Sequence, residues 1–169
     1  MTEAQLAPTV TDLHLDPLLV VLKHELGQAL VGVVLYGSYA RGTARPDSDI
    51  DLLVIASELP ESRVARADFF VDLQFEAGYP YLHVSILGKT VAEFEGHFPA
   101  LYLDIGLDGI VLFDRDGYLA GKLARIRALI EEADLLRRQL DGDFLWQFTH
   151  PVPPASWSLE WEGYREFPR

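Results

Sequence analysis

Leu35-Tyr36-Gly37-Ser38-Tyr39-Ala40-Arg41-Gly42-Thr43-Ala44-Arg45-Pro46-Asp47-Ser48-Asp49-Ile50-Asp51-Leu52-Leu53-Val54 is the stretch that decides how this chain is read. An apolar run from Val31 to Tyr36 ends in Gly37-Ser38. Ser48-Asp49-Ile50-Asp51 then opens a second apolar run, which reaches Ile55 and gives way to the turn-like Ser57-Glu58-Leu59-Pro60. Both runs are short and rich in β-branched residues, the pattern of buried strands.

Each half of the stretch carries its own chemistry. Side chains alternate faces along a strand, so Asp49 and Asp51 project from the same side. Their Cα atoms then lie roughly 6.6 Å apart, at about 3.3 Å per residue. Two carboxylates so spaced can share Mg²⁺ ions that also hold substrate phosphates. Gly37 lets the backbone approach a ligand with no Cβ in the way. Ser38 is a good helix N-cap, and the free N–H groups of a helix start bind anions. Asp-x-Asp or Gly-Ser alone is common; the two separated by twelve residues (49 − 37) are far more specific and imply chemistry on a nucleoside triphosphate.

Gly37-Ser38-x-Ala40-Arg41-Gly42 followed by Ser48-Asp49-Ile50-Asp51-Leu52 resembles the signature of the DNA polymerase β nucleotidyltransferase superfamily, most of all its small stand-alone bacterial and archaeal members. The resemblance is close over residues 30–56 and looser to about residue 140, through Tyr102-Leu103-Asp104 and Asp108 to Gly117. It implies an α+β fold, a mixed sheet with packed helices. It also implies transfer of a nucleoside monophosphate from an NTP, with ATP the expected donor, to a hydroxyl acceptor. Gly37 and Ser38 would bind the triphosphate, and Asp49 and Asp51 would bind Mg²⁺. Arg41 would support the helix after the Gly-Ser turn or reach a phosphate. Small members of this family often work beside a partner protein, so a small helical partner is expected.

The same resemblance asks for a third carboxylate on a later strand. The candidate is residues 81–87, where His83 and Ser85 share the polar face and neither is an acid. His83 is the candidate replacement base, because an imidazole of ordinary pKa about 6.5 suits proton transfer near neutrality. Glu76 and Glu93 are the other acids considered. The missing carboxylate motivates a second reading, a non-catalytic nucleotide- or protein-binding module resembling an antitoxin.

Composition bounds the rest. At 169 residues the chain can hold one domain with a real core. Its net charge of −12 opposes tight, nonspecific nucleic-acid binding, which depends on Lys/Arg contacts to phosphate. No apolar run approaches the ~20 residues of a membrane helix, and the N-terminus lacks a signal-peptide pattern; a cytoplasmic location is expected. With no cysteine there is no disulfide and no thiolate metal site.

Further elements follow from local signals. Asp16-Pro17 starts a helix, with Asp as the cap. Residues 61–77 read as helix, Thr90-Val91-Ala92-Glu93 has the spacing of a capping box, and residues 110–113 form a short strand. Leu119, Leu123, Ile126, Ile130 and Ala133 make the stripe of a long amphipathic helix, core-facing or in part a homodimer face. Residues 1–142 are expected to form the nucleotidyltransferase domain. Residues 143–169, with all three Trp and four of the ten Pro, are read as an aromatic arm packed back on it.

Overall fold

A computed structural model describes residues 13–79, 84–140 and 143–167. At its centre is a four-stranded sheet of β1 (Leu30–Tyr36), β2 (Ile50–Ala56), β3 (Val84–Thr90) and β4 (Ile110–Asp114), in the order β3-β2-β1-β4. β1 pairs antiparallel with β2 and β4, and β2 pairs parallel with β3, so the sheet is mixed. The helix α3 (Arg63–Glu76) makes the crossover that a parallel pair requires.

Both central strands are buried on both faces, which is why they read as unbroken apolar runs. Val33, Leu35, Leu52 and Val54 face one core with α1 (Asp16–Leu26) and α3, through Leu18, Leu22, Phe70 and Leu73. Val34, Leu53 and Ile55 face a second core. That core is closed by Phe94 of α4 (Val91–Glu95), Tyr102 and Ile105 of α5 (Leu101–Asp108), and Leu119, Leu123 and Ile126 of α6 (Tyr118–Glu132). The α6 stripe thus packs largely inside the chain. At roughly 25 cal/mol per Å², each such large side chain contributes about 1.5–3 kcal/mol when fully buried.

Local signals are met in detail at several points. Thr90 and Glu93 form the reciprocal capping box at the start of α4. Ser62 caps α3 from Oγ to the Ala65 N–H at 3.4 Å. The cap of α1 differs from expectation: Leu15 holds that position with no side-chain bond, and Asp16 lies in the first turn. An unexpected cap opens α6, where the Asp114 carboxylate accepts from the N–H groups of Leu119 and Ala120 at 2.8 and 2.9 Å.

Beyond α6 lie two hairpins. β5 (Leu135–Leu140) pairs with β6 (Asp143–Phe148), and β7 (Trp157–Glu160) pairs with β8 (Gly163–Glu166). A boundary after residue 142 falls between the paired strands β5 and β6. Trp146 and Trp161 pack on the second core. The Trp161 indole donates to the Phe94 carbonyl at 3.2 Å, and its ring lies 5.0 Å from that of Phe98. Among the described residues no helix is long and apolar enough to cross a membrane.

Candidate active site

Antiparallel pairing sets Tyr36, the last residue of β1, opposite Asp51, the second of β2. The chain leaves β1 at Gly37 and enters the short helix α2 (Gly37–Arg41). Gly37 has φ +75°, and a Cβ there would stand 2.2 Å from the Asp51 Oδ2. Glycine is therefore required twice, by backbone conformation and by the carboxylate against it. This contact joins the two halves of the motif: the backbone turn abuts the acid.

Ser38 is not the cap expected. Tyr36 occupies the N-cap of α2 without a side-chain bond, and Ser38 is the second helical residue. Gly42, at φ +70°, ends the helix. The Thr43 N–H returns to the Ser38 carbonyl at 2.9 Å. A turn from Arg45 to Ser48 is tied by the Arg45 N–H to Ser48 Oγ at 2.8 Å and carries the chain back to the sheet.

Asp49 immediately precedes β2 and is exposed, whereas Asp51 lies within it and is half-buried. Burial raises the Asp51 carboxyl above its usual range, the neighbouring Asp49 charge raises it further, and Arg41 opposes both. Burial, helped by Asp51, likewise pushes the Tyr36 phenol up to about 12. Arg41 offsets the rise at Asp51 only in part, and a hard divalent cation would stabilise the charged form of a half-buried carboxylate held beside a second one. The all-oxygen donor set suits Mg²⁺. The residues present therefore fit such an ion. A different trio, His24, Glu25 and Glu76, brings its ligand atoms within 4.8 Å of one another, but all three are exposed side chains of α1 and α3.

The turn at Gly37 and Ser38 borders a cleft of about 650 Å³, among whose described lining residues neither Asp49 nor Asp51 stands. Gly37, Ser38, Arg41 and Ser48 line one side, and Asp104 of α5 with Gln139, Asp143 and Phe144 of the β5–β6 hairpin line the other. The hairpin wall was not foreseen as part of the site. Two sequence signals could have found it. Phe144, Trp146 and Phe148 alternate with Leu145 and Gln147, and Asp141-Gly142 is a hairpin dipeptide.

Of the two polar candidates for the third-carboxylate position, one lies in β3. Ser85 of β3 pairs in register with Asp51 and is exposed. His83 lies outside the described residues. Glu93 is engaged elsewhere: its carboxylate accepts from Arg66 at 2.7 Å and from the Thr90 N–H at 2.8 Å, which holds its pKa down at about 2. Glu76 stands with His24 and Glu25.

Comparison with known proteins identifies the family. Residues 18–98 match the nucleotidyltransferase domain family. A protein of Methanocaldococcus jannaschii, provisionally named a protein adenylyltransferase, is 36% identical over 119 residues, covering 69% of this chain and 81% of that relative. Among solved structures, a chain of a toxin–antitoxin complex with AMP-PNP superposes with a TM-score of 0.52 at 18% identity, over 70% of this chain and 87% of that one. A second, from a toxin–antitoxin mutant with two aspartate-to-glutamate substitutions, gives 0.51 at 16% identity, over 69% and 86%. These two likenesses concern the fold. Sequence identity over most of both chains, together with the matched domain, carries the assignment: this chain belongs to the nucleotidyltransferase domain family and is a transferase.

Proposed function

We propose that the chain transfers AMP from ATP to a hydroxyl group of a protein acceptor. The observation that carries this reading is the contact between Gly37 and Asp51, which sets a backbone turn suited to phosphate directly against a carboxylate suited to a divalent ion. The relative provisionally named a protein adenylyltransferase supports a protein as acceptor. The toxin–antitoxin neighbours are consistent with a partner chain, and a small helical protein remains the expected one.

In this reading the turn at Gly37 and Ser38 cradles the triphosphate, and Arg41 neutralises phosphate charge. Asp49 and Asp51 would hold Mg²⁺, which when bound offsets charge on the phosphates. The acceptor oxygen attacks the α-phosphorus, forming a new O–P bond as the bond to the bridging β-phosphate oxygen breaks and pyrophosphate leaves. The hydroxyl proton passes to a base, assigned from the sequence to His83. The cleft wall of Leu101, Gln139 and Phe144 leaves room for the nucleoside beyond the cradle.

The test is incorporation of label from α-labelled ATP, with Mg²⁺, into the chain itself and into the product of the neighbouring gene. Label that survives denaturation and is lost in Asp51→Asn supports transfer. ATP binding without label in any acceptor favours the second reading, a nucleotide-binding module. That reading draws on one observation, Ser85 in register with Asp51 where the resemblance asks for an acid.

A further inference from the structure

Arg137 belongs to β5, beyond the matched domain, yet it reaches the edge of the cleft. Its guanidinium takes both oxygens of Asp108: Nη2 donates to Oδ1 at 2.9 Å and Nη1 donates to Oδ2. Nη1 also donates to Asp104 Oδ1 at 3.1 Å, an oxygen that accepts from the Trp146 indole at 3.2 Å. Arg41 meets the same Asp108 only at 3.9 Å, too long for a hydrogen bond. The Arg41 Nε is buried with no hydrogen-bond partner. Phe144 braces both cations, its ring centre 4.8 Å from the guanidinium carbon of Arg41 and 4.7 Å from that of Arg137.

Two arginines thus stand within reach of one carboxylate, and one of them has taken it. The Asp108 side chain is only 14% exposed, so a charge there needs a cation. A carboxylate gives its strong two-pronged pairing to one guanidinium at a time. Were Arg137 absent, Arg41 would be the cation left beside Asp108 among the contacts described. It would turn from the cleft to fill that place.

We infer that Arg137 is a positioning residue for nucleotide binding: by occupying Asp108 it leaves the Arg41 guanidinium for the triphosphate. This rests on the reading of Arg41 as a phosphate ligand, and the two can fail separately. The experiment is calorimetric titration of ATP with Mg²⁺ into the full chain, for wild type, Arg41→Ala, Arg137→Gln, the Arg41→Ala/Arg137→Gln double variant and Arg137→Gln/Asp108→Asn. Arg41→Ala and Arg137→Gln should each weaken binding about tenfold, the scale of one charged hydrogen bond. The double variant should bind no more weakly than Arg41→Ala alone, because both changes act through one guanidinium. Removing the Asp108 charge should restore most of what Arg137→Gln loses, a rescue that loss of structure would not give. Should Arg137→Gln unfold on thermal melting, Arg137→Lys, which can hold one carboxylate oxygen but not both, should give a smaller loss rescued in the same way. Additive losses in the double variant, or no rescue by Asp108→Asn, overturn the inference while Arg41 stays a phosphate ligand. Unchanged affinity in Arg41→Ala overturns the Arg41 reading, and the inference with it.

Discussion

Gly37→Ala separates the chemistry of the turn from its folding. A residue with a Cβ at φ +75° costs about 1–2 kcal/mol in backbone strain. Gly42, at φ +70° with nothing within 4 Å of a built Cβ, carries the same strain and no clash, so Gly42→Ala is the matched control. At position 37 the new Cβ would also meet Asp51 Oδ2 at 2.2 Å, against ordinary contact from 3.4 Å. The carboxylate must retreat by about 1.2 Å, the difference between those distances. The cheapest retreat is rotation of Asp51 itself, which spends little stability and moves the proposed metal ligand. Both variants should therefore lose a similar 1–2 kcal/mol, about 2–8 °C in Tm for a chain of this length. Only Gly37→Ala should lose function, by about 100-fold, the scale of a 1 Å misplacement. Thermal melting and calorimetry with ATP and Mg²⁺ read the two effects separately. If Gly37→Ala binds ATP as well as Gly42→Ala does, the triphosphate does not sit against Asp51.

Asp51→Asn should abolish Mg²⁺-dependent ATP binding yet raise Tm at neutral pH. Its carboxyl is raised by burial and by Asp49, so the charged form opposes folding above the raised pKa and that opposition fades as pH falls through it; a lower Tm in the variant contradicts this. ATP affinity of wild type should fall over the same acidic range, as Asp51 takes up a proton, which titrations across pH would follow. Glu93→Ala should cost about 1 kcal/mol through the lost cap of α4 and leave transfer intact. Because its folded pKa is lowered from 4.5 to about 2, that stabilisation is full above pH 4.5 and disappears as pH falls toward 2, so wild type and variant melts should converge in acid. His83→Ala should cut labelling by about 10²-fold or more if the imidazole is the base. Full labelling in that variant assigns the proton to another group, and Ser85→Asp then tests whether an acid beside Asp51 raises the rate.

How much was legible in the sequence follows from which forces act locally. β1 and β2 were readable because burial on both faces makes them uniformly apolar, and the box at Thr90 because its two bonds span only three residues. The acids and the glycine were readable as a motif, but not the 2.2 Å approach that makes the glycine obligatory, since that depends on how Tyr36 registers against Asp51. The Ser38 cap was misread because β1 runs directly into the helix, whose cap is Tyr36, two residues sooner than the serine suggests. The hairpins were missed for a different reason. β5 reads Leu-Leu-Arg-Arg-Gln-Leu, and its partly buried Arg137 and cleft-lining Gln139 are polar groups that a hydrophobic pattern assigns to solvent. Arg137 faces inward because Asp104 and Asp108 wait there, 33 and 29 residues earlier in the chain.

That long-range pairing bears on what the matched domain can do alone. Residues 18–98 supply the turn, both motif aspartates and Arg41, but none of α5 or the β5–β6 hairpin. α5 places Asp104 at the cleft and Asp108 beside Arg41, two negative charges near where a polyphosphate is proposed to sit. By themselves they would repel it and compete for its cation. The hairpin answers both charges at once: Arg137 pairs with the two acids, Trp146 donates to Asp104, and Phe144 covers the arginines. A chain truncated before Leu135 would keep every residue of the sequence motif and still present an acidic wall to ATP. Under the proposed function the β5–β6 hairpin therefore belongs to the nucleotide site as much as to the packing, its residues turning the electrostatics of α5 from opposing an anion to tolerating one.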